Sequence, residues 1–187
     1  MGNVRLYGST SGYTELAAPA VAPDGVLTLP AVAGTLATTA DVAAIVPGKI
    51  LQVVTTTYST EVSTTTASWV TTGVTATITP ASASSKILVL VHTGAELSGG
   101  NAAGAFSVFR GTVAGTNLGD SVRGMSQHYI VSATGYRGSV SFNYLDSPST
   151  ASAQTYTLGM RLSSSGGPLY SSRQSSVSSM TLMEVAA

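Results

Sequence analysis

From Val74 the chain reads VTATITP, so that Val74, Ala76 and Ile78 alternate with Thr75, Thr77 and Thr79 until Pro80 ends the run. A period of two places one set on each face of a pleated strand, one face packed and the other wet. Runs of this kind, rich in Thr, Val, Ser, Tyr and Ile and broken by Gly, Pro, Asn and Asp, fill most of the chain. Apolar residues at helical spacing are almost missing. The pattern therefore predicts an all-β protein. One stretch, residues 39–46, could form a turn of helix capped by Thr39 and stopped by Pro47-Gly48, and is too short to stand alone.

The strands expected from alternation are residues 50–58 (ILQVVTTTY), 66–71 around Trp69, 74–79, 86–92 (KILVLVH), 105–110 (AFSVFR), 126–132, 139–145, 154–162 and 179–185. The five consecutive aliphatics of KILVLVH predict a central strand covered on both faces. In AFSVFR, Phe106 and Val108 point one way and Phe109 the other. Val140, Phe142 and Tyr144 share a face, as do Tyr156, Leu158, Met160 and Leu162. In the last strand Met180, Leu182 and Glu184 oppose Thr181, Met183 and Val185. Loops are expected at 98–104 and 163–168. Asp146-Ser-Pro-Ser reads as a turn, since Asp bonds its own backbone and Pro148 fixes φ. Eight or nine strands at this spacing predict a single antiparallel β-sandwich, jelly-roll-like, over residues 49–187.

Residues 1–48 have a different texture and are expected to form an extended N-terminal arm. Residues 13–17 (YTELA) and 26–30 (VLTLP) read as a short hairpin around Pro23-Asp24-Gly25. An isolated hairpin is marginal in water and needs another surface. The segment VLTLPAVAGTLATTADV at 26–42 holds no charge before Asp41. It is too apolar for a solvated linker and too small for a core strand. Both properties fit an arm covered by another chain, through Leu27, Leu29, Val32 and Leu36.

Charge limits what such a chain can bind. Only 9% of residues are charged, and eight acids cancel eight bases, against about 25% charged residues in typical soluble proteins. A surface this poor in charge resists association weakly, so self-association is expected. No basic cluster is present, which argues against nucleic acid and against anionic membranes as partners. The longest run of large aliphatics is Ile87–Val91, far short of the roughly 18 apolar residues of a membrane helix. With no cysteine, disulfides, thiolate metal sites and cysteine nucleophiles are out.

Residue patterns for catalysis are weak. The histidines His92 and His128 both fall in expected strands, no serine sits in a Gly-x-Ser-x-Gly elbow, and the expected role of each ring is that of a hydrogen-bonded strand residue. Glu61, Glu96, Asp120 and Asp146 are the carboxylates that folding would have to pair for glycoside cleavage. Neither Gly-rich stretch has the Lys-Ser/Thr ending of a phosphate loop, and no calcium-loop or zinc spacing occurs. Tyr58, Tyr129, Tyr136, Tyr144, Tyr156 and Tyr170 could stack on sugars if some meet at an exposed end, and core or interface roles are commoner for strand tyrosines. The reading is non-enzymatic, with no cofactor and no metal.

The segment GSTSGYTELAAPAVAPDGVLTLPAVAGTLATTADV resembles the N-terminal region of tailed-bacteriophage virion proteins, those called tail fibre or head-associated fibre proteins. Residues 50–92, with VTATITPASASSKILVLVH, FRGTVAGTNLGDS at 109–121, YLDSPST at 144–150 and SMTLMEV at 179–185 resemble the sandwich domain of the same family. The resemblance implies a trimeric, non-enzymatic structural protein on the outside of a virion. Fibres of the receptor-binding kind carry repeats or coiled-coil shafts, and heptads are missing here. The expectation is therefore a capsid decoration protein, a cement or head-fibre trimer docked on the major capsid protein through its arm. The alternative is a short tail fibre or tail-tip adaptor that reads a host surface glycan.

Overall fold

The computed structural model describes residues 4–7, 13–16, 48–131, 135–164 and 166–187. The chain divides into two compact units, Met1–Asp41 and Val42–Ala187. In the first, β1 (Val4–Tyr7) pairs antiparallel with β2 (Tyr13–Leu16), Tyr7 opposite Tyr13. A strand at Tyr13 was expected with residues 26–30 as its partner; the structure shows it paired upstream, where VRLY has the length to match YTEL. Residues 26–30, and the helical turn expected over 39–46, lie outside the described residues.

The second unit is an antiparallel β-sandwich. Its first sheet holds β3 (Ile50–Tyr58), β13 (Ser178–Val185), β6 (Lys86–Leu97) and β10 (Tyr136–Asp146) in that order, with β4 (Val62–Thr64) and β12 (Leu169–Ser171) beside the far end of β6. Because β10 occupies one whole edge of β6, β12 and β13 must share the other, so β4 continues the line of β3 and β12 that of β13. The second sheet runs β5 (Val70–Ile78), β11 (Gln154–Ser164), β7 (Ala102–Arg110), and then β8 (Thr116–Asn117) and β9 (Ser126–Ile130), both on the outer edge of β7. Counted as lines of chain there are eight. The first pairs with the eighth, the second with the seventh, the third with the sixth and the fourth with the fifth. That nesting of hairpins across two sheets is the jelly roll.

The core is the set the alternation picks out. Val74, Ala76 and Ile78 of β5, Ile87, Val89 and Val91 of β6, Tyr156, Leu158, Met160 and Leu162 of β11, and Met180 and Leu182 of β13 all point inward and are buried. Each buried Val, Ile, Leu or Met among them contributes roughly 1.5–3 kcal/mol by leaving water. The strands expected at 66–71 and 74–79 are not separate. Val70–Ile78 is one strand whose register against β11 slips between Thr71 and Thr75. Gly73 sits in the slip at φ 87°, where the Tyr58 ring leaves no room for a Cβ, so glycine is required twice over. The chain enters and leaves this unit side by side: Gly48 N–H donates to Ala186 O (3.1 Å) and Ala186 N–H to Lys49 O (2.9 Å).

Two polar clamps close one end of the sandwich. Asp146, 3% exposed, accepts from Arg110 Nε (2.9 Å) and from the Tyr156 hydroxyl (2.7 Å). Burial and that neighbouring carboxylate push the Tyr156 phenol far above its ordinary value. Glu184, fully buried, accepts from Gln52 Nε2 (2.6 Å) and Ala81 N–H (2.7 Å). Burial alone would push its carboxyl up; hydrogen bonds from Gln52, Ser85 and the Ala81 and Ser82 amides outweigh it and hold the group below the ordinary value.

Candidate assembly surface

The outer faces of the two sheets differ. On the second sheet, β7 is buried on both sides along nearly its whole length. Trp69 lies over Phe109 edge to face at 5.3 Å, and the Arg161 guanidinium sits 5.6 Å above the indole. Trp69 Nε1 and Arg161 Nη1 both donate to Ser121 O, at 3.0 and 3.1 Å. The segment 111–125 is tied down by Leu118 N–H to Val108 O and Met125 N–H to Phe106 O. Asp120 accepts from the amides of Arg123 and Val122, which hold its carboxyl below the ordinary value.

Among the described residues the first sheet has no such cover. Covering on both faces was expected for β6, and the structure places it on β7 instead. β6 is central, paired along both edges, but its burial alternates: Ile87, Val89 and Val91 face the core while Leu88 is half-buried and Leu90 is 36% exposed. Cross-strand register puts Leu88 opposite Met183 on one side and Leu145 on the other, and Met183 opposite Val53. Directly opposed residues share a face, so Val53, Met183, Leu88 and Leu145 form an apolar row across all four strands. Its two ends are its most open members, Val53 at 53% and Leu145 at 48%. Ile50 and Leu51 beside Val53 are also exposed.

Further along the same face the rows turn polar, through Thr55, Thr181, Leu90 and Asn143 and then Thr57, Ser179, His92 and Ser141. At the far end lies a row of alternating charge. Arg173 Nη1 bonds Glu61 Oε1 (2.7 Å), Arg173 Nε bonds Glu96 Oε2 (2.9 Å), and Arg137 Nη2 bonds the same oxygen (2.6 Å). Arg173 also stacks over Tyr170 at 4.2 Å. Both carboxyls are held below the ordinary value, Glu61 by Arg173 and the Gln174 amide, Glu96 by Arg173 and then Arg137. The turn that presents Arg173 carries Ser172, Gln174 and Ser175 at φ of 52°, 54° and 59°. Such backbone persists only where neighbours fix it, and here Gln174 N–H is held by Glu61 Oε2 at 2.9 Å.

Of the carboxylates singled out for glycoside chemistry, folding brings Glu61 and Glu96 together, onto one arginine. Both are kept ionised, the wrong state for a general acid, which needs a raised value. Asp146 is sealed and Asp120 caps a turn. His92 Nδ1 lies 2.9 Å from Ser141 Oγ on the exposed face, and no carboxylate bonds that ring among the described residues. His128 stacks on Tyr136 at 5.0 Å, and burial lowers its value. Thr93, Ser171, Ser172 and Ser178 form a buried hydroxyl cluster, bonded among themselves at 2.8–2.9 Å. No group of three or more metal-ligating side chains occurs among the described residues. The tyrosines do not gather: Tyr156 is buried, Tyr136 and Tyr170 are stacked, Tyr58 closes on Gly73, and Tyr129 and Tyr144 are exposed on different sheets. Leu27, Leu29, Val32 and Leu36 lie outside the described residues.

No protein-family model matches the chain, and no curated protein does. Among solved structures it is similar to the VP2 subviral particle of infectious bursal disease virus, with 14% identity and a TM-score of 0.43 over 72% of this chain. It is similar also to T=1 particles derived from infectious bursal virus, with 12% identity and a TM-score of 0.45 over 95% of this chain. It spans 32% and 39% of the length of those two chains. Likeness at this level assigns no function.

The two rows on the first sheet were not found by sequence reasoning. The signal for the apolar one was present in Leu88 and Leu90, which alternate with the core residues of β6. The charged row joins residues up to 112 positions apart and left no local trace.

Proposed function

We propose that this chain is a non-enzymatic structural protein of a tailed-phage virion, a trimer that decorates the outer surface of the capsid. The observation that carries this reading is the apolar row Val53–Met183–Leu88–Leu145, left open on a sheet of a chain in which only 9% of residues are charged. A free monomer gains nothing from such a face, and an assembled one buries it. The resemblance of residues 8–42 and of the sandwich to phage fibre proteins supplies the class of particle. Attachment to the major capsid protein runs through the N-terminal arm, with Leu27, Leu29, Val32 and Leu36 covered by a sister chain or by the shell.

Deletion of residues 1–46 tests the arm. The sandwich is expected to stay folded by circular dichroism and to lose co-sedimentation with capsids; a truncated protein that still binds particles refutes the arm. The second reading, a tail-tip adaptor that binds a host glycan, has one observation in its favour, Tyr129 at 64% exposure on β9. It requires Tyr129→Ala to abolish adsorption to host cells while the assembly keeps its mass.

A further inference from the structure

The two free edges of the first sheet match each other. Among the described residues β10 has one partner, β6, and β3 has one, β13. β10 is eleven residues long and β3 nine, and neither contains proline or lysine, two of the devices that blunt natural edges. The one irregularity of β3 lies at its start, where its register against β13 shifts between Gln52 and Ile50, outside the stretch Val53–Thr57. β3 runs parallel to β6 and β10 antiparallel to it, so a second copy placed alongside would meet β10 with its β3 in antiparallel orientation.

Both rows across the sheet end in complementary groups. The apolar row ends in Val53 on the β3 edge and Leu145 on the β10 edge. The charged row reads Glu61, Arg173, Glu96, Arg137 from the β3–β4 edge to the β10 edge, so it ends in an acid on one side and a base on the other. Arg137 is 56% exposed at its end of the row and Glu61 34% at the other. Laying the two sheets side by side with the apolar rows in line brings Val53 of the next copy opposite Leu145, Thr55 opposite Asn143 and Thr57 opposite Ser141. The same placement brings Glu61 of the next copy to the Arg137 end, and the alternation of charge continues unbroken.

We infer that the partner of the β10 edge is the β3–β4 edge of a second copy of this chain, joined head to tail so that the sheet and both of its rows run on from one subunit into the next. A contact between unlike edges closes a ring when the rotation allows, and this inference rests on the trimer proposed above for the size of that ring. Main-chain hydrogen bonds supply the pairing, and the two rows fix its register.

The cysteine-free sequence makes the test direct. Within one subunit Val53 and Leu145 are three strand spacings apart, about 14 Å, whereas a disulfide needs Cα atoms within about 7 Å. The full chain with Val53→Cys and Leu145→Cys, oxidised and run in denaturant without reductant, is expected to give covalent dimers and trimers as the main species. Thr57→Cys with Ser141→Cys, a second level pair on exposed positions, is expected to do the same. Single variants and the out-of-register pair Val53→Cys with Ser139→Cys are expected to stay monomeric in denaturant. Native light scattering at three chains with no cross-link from either level pair overturns the edge pairing and leaves the trimer standing. Cross-linking of a single variant to itself also overturns it, since like edges would then meet. A one-chain mass for the unmodified protein overturns the trimer itself.

Discussion

Over the outer face of the β5–β11–β7 sheet lie Trp69 and the 111–125 segment, and Phe109 beneath them is 2% exposed. Over the outer face of the β3–β13–β6–β10 sheet, Val53 and Leu145 stay about half open to water. Both faces carry large apolar side chains, so hydrophobicity does not separate them. What separates them is whether the chain supplies its own cover. One face draws its burial from a tryptophan forty residues upstream of Phe109 and from the connection that follows β7; among the described residues the other has only its own four strands. An apolar row left open in this way is the feature on which the proposed assembly rests.

That contrast can be broken at three places. Trp69→Ala removes the edge-to-face contact with Phe109, the stacking of Arg161 and the hydrogen bond to Ser121 O. Because the indole is only half-buried, the expected loss is about 2–3 kcal/mol in urea unfolding, below the full cost of a core tryptophan. The assembled mass at low denaturant should be unchanged. On the bare face the pattern reverses: Leu145→Lys should alter the unfolding free energy of the subunit by no more than about 0.5 kcal/mol, yet reduce the light-scattering mass to one chain. If Leu145→Lys destabilises folding as Trp69→Ala does, the two faces are alike and the contrast fails.

The smallest expected effect concerns acid. Glu61 and Glu96 are depressed below the ordinary carboxylate value of 4.5 in the folded chain. Their contribution is present above that value and is lost as pH falls through and below it, because the unfolded chain then binds protons that the folded one resists. Stability measured from about pH 6 to about pH 3 should fall, and Arg173→Met should flatten the decline between about pH 4.5 and 3. An unchanged slope in Arg173→Met would place the acid sensitivity elsewhere, at Glu184 or Asp120.

Much of this was legible in the residues, and the failures have physical causes. Residues 50–58 form the expected strand, and the inward sets of β5, β11 and β13 point as alternation says, Glu184 included. Alternation is a local property, set by the pleat. Coverage is not local. KILVLVH and AFSVFR look equally apolar, and only the return of Trp69 and the 111–125 segment decides which lies under cover. The expected strand at 66–71 failed for the same reason: Thr66–Trp69 bends, carrying the indole across the sheet, and the strand begins at Val70. The strands β4, β8 and β12 are two or three residues long, too short for a period of two to register. The salt-bridged row was invisible because its members come from four separate lengths of chain.

The side-by-side entry and exit of the sandwich, Gly48 against Ala186 and Ala186 against Lys49, sets how the unit answers mechanical load. A force pulling residue 48 away from residue 187 acts across the β3–β13 ladder at its open end, so its hydrogen bonds break in sequence, as a zip opens. The subunit is therefore compliant when pulled by its own two ends.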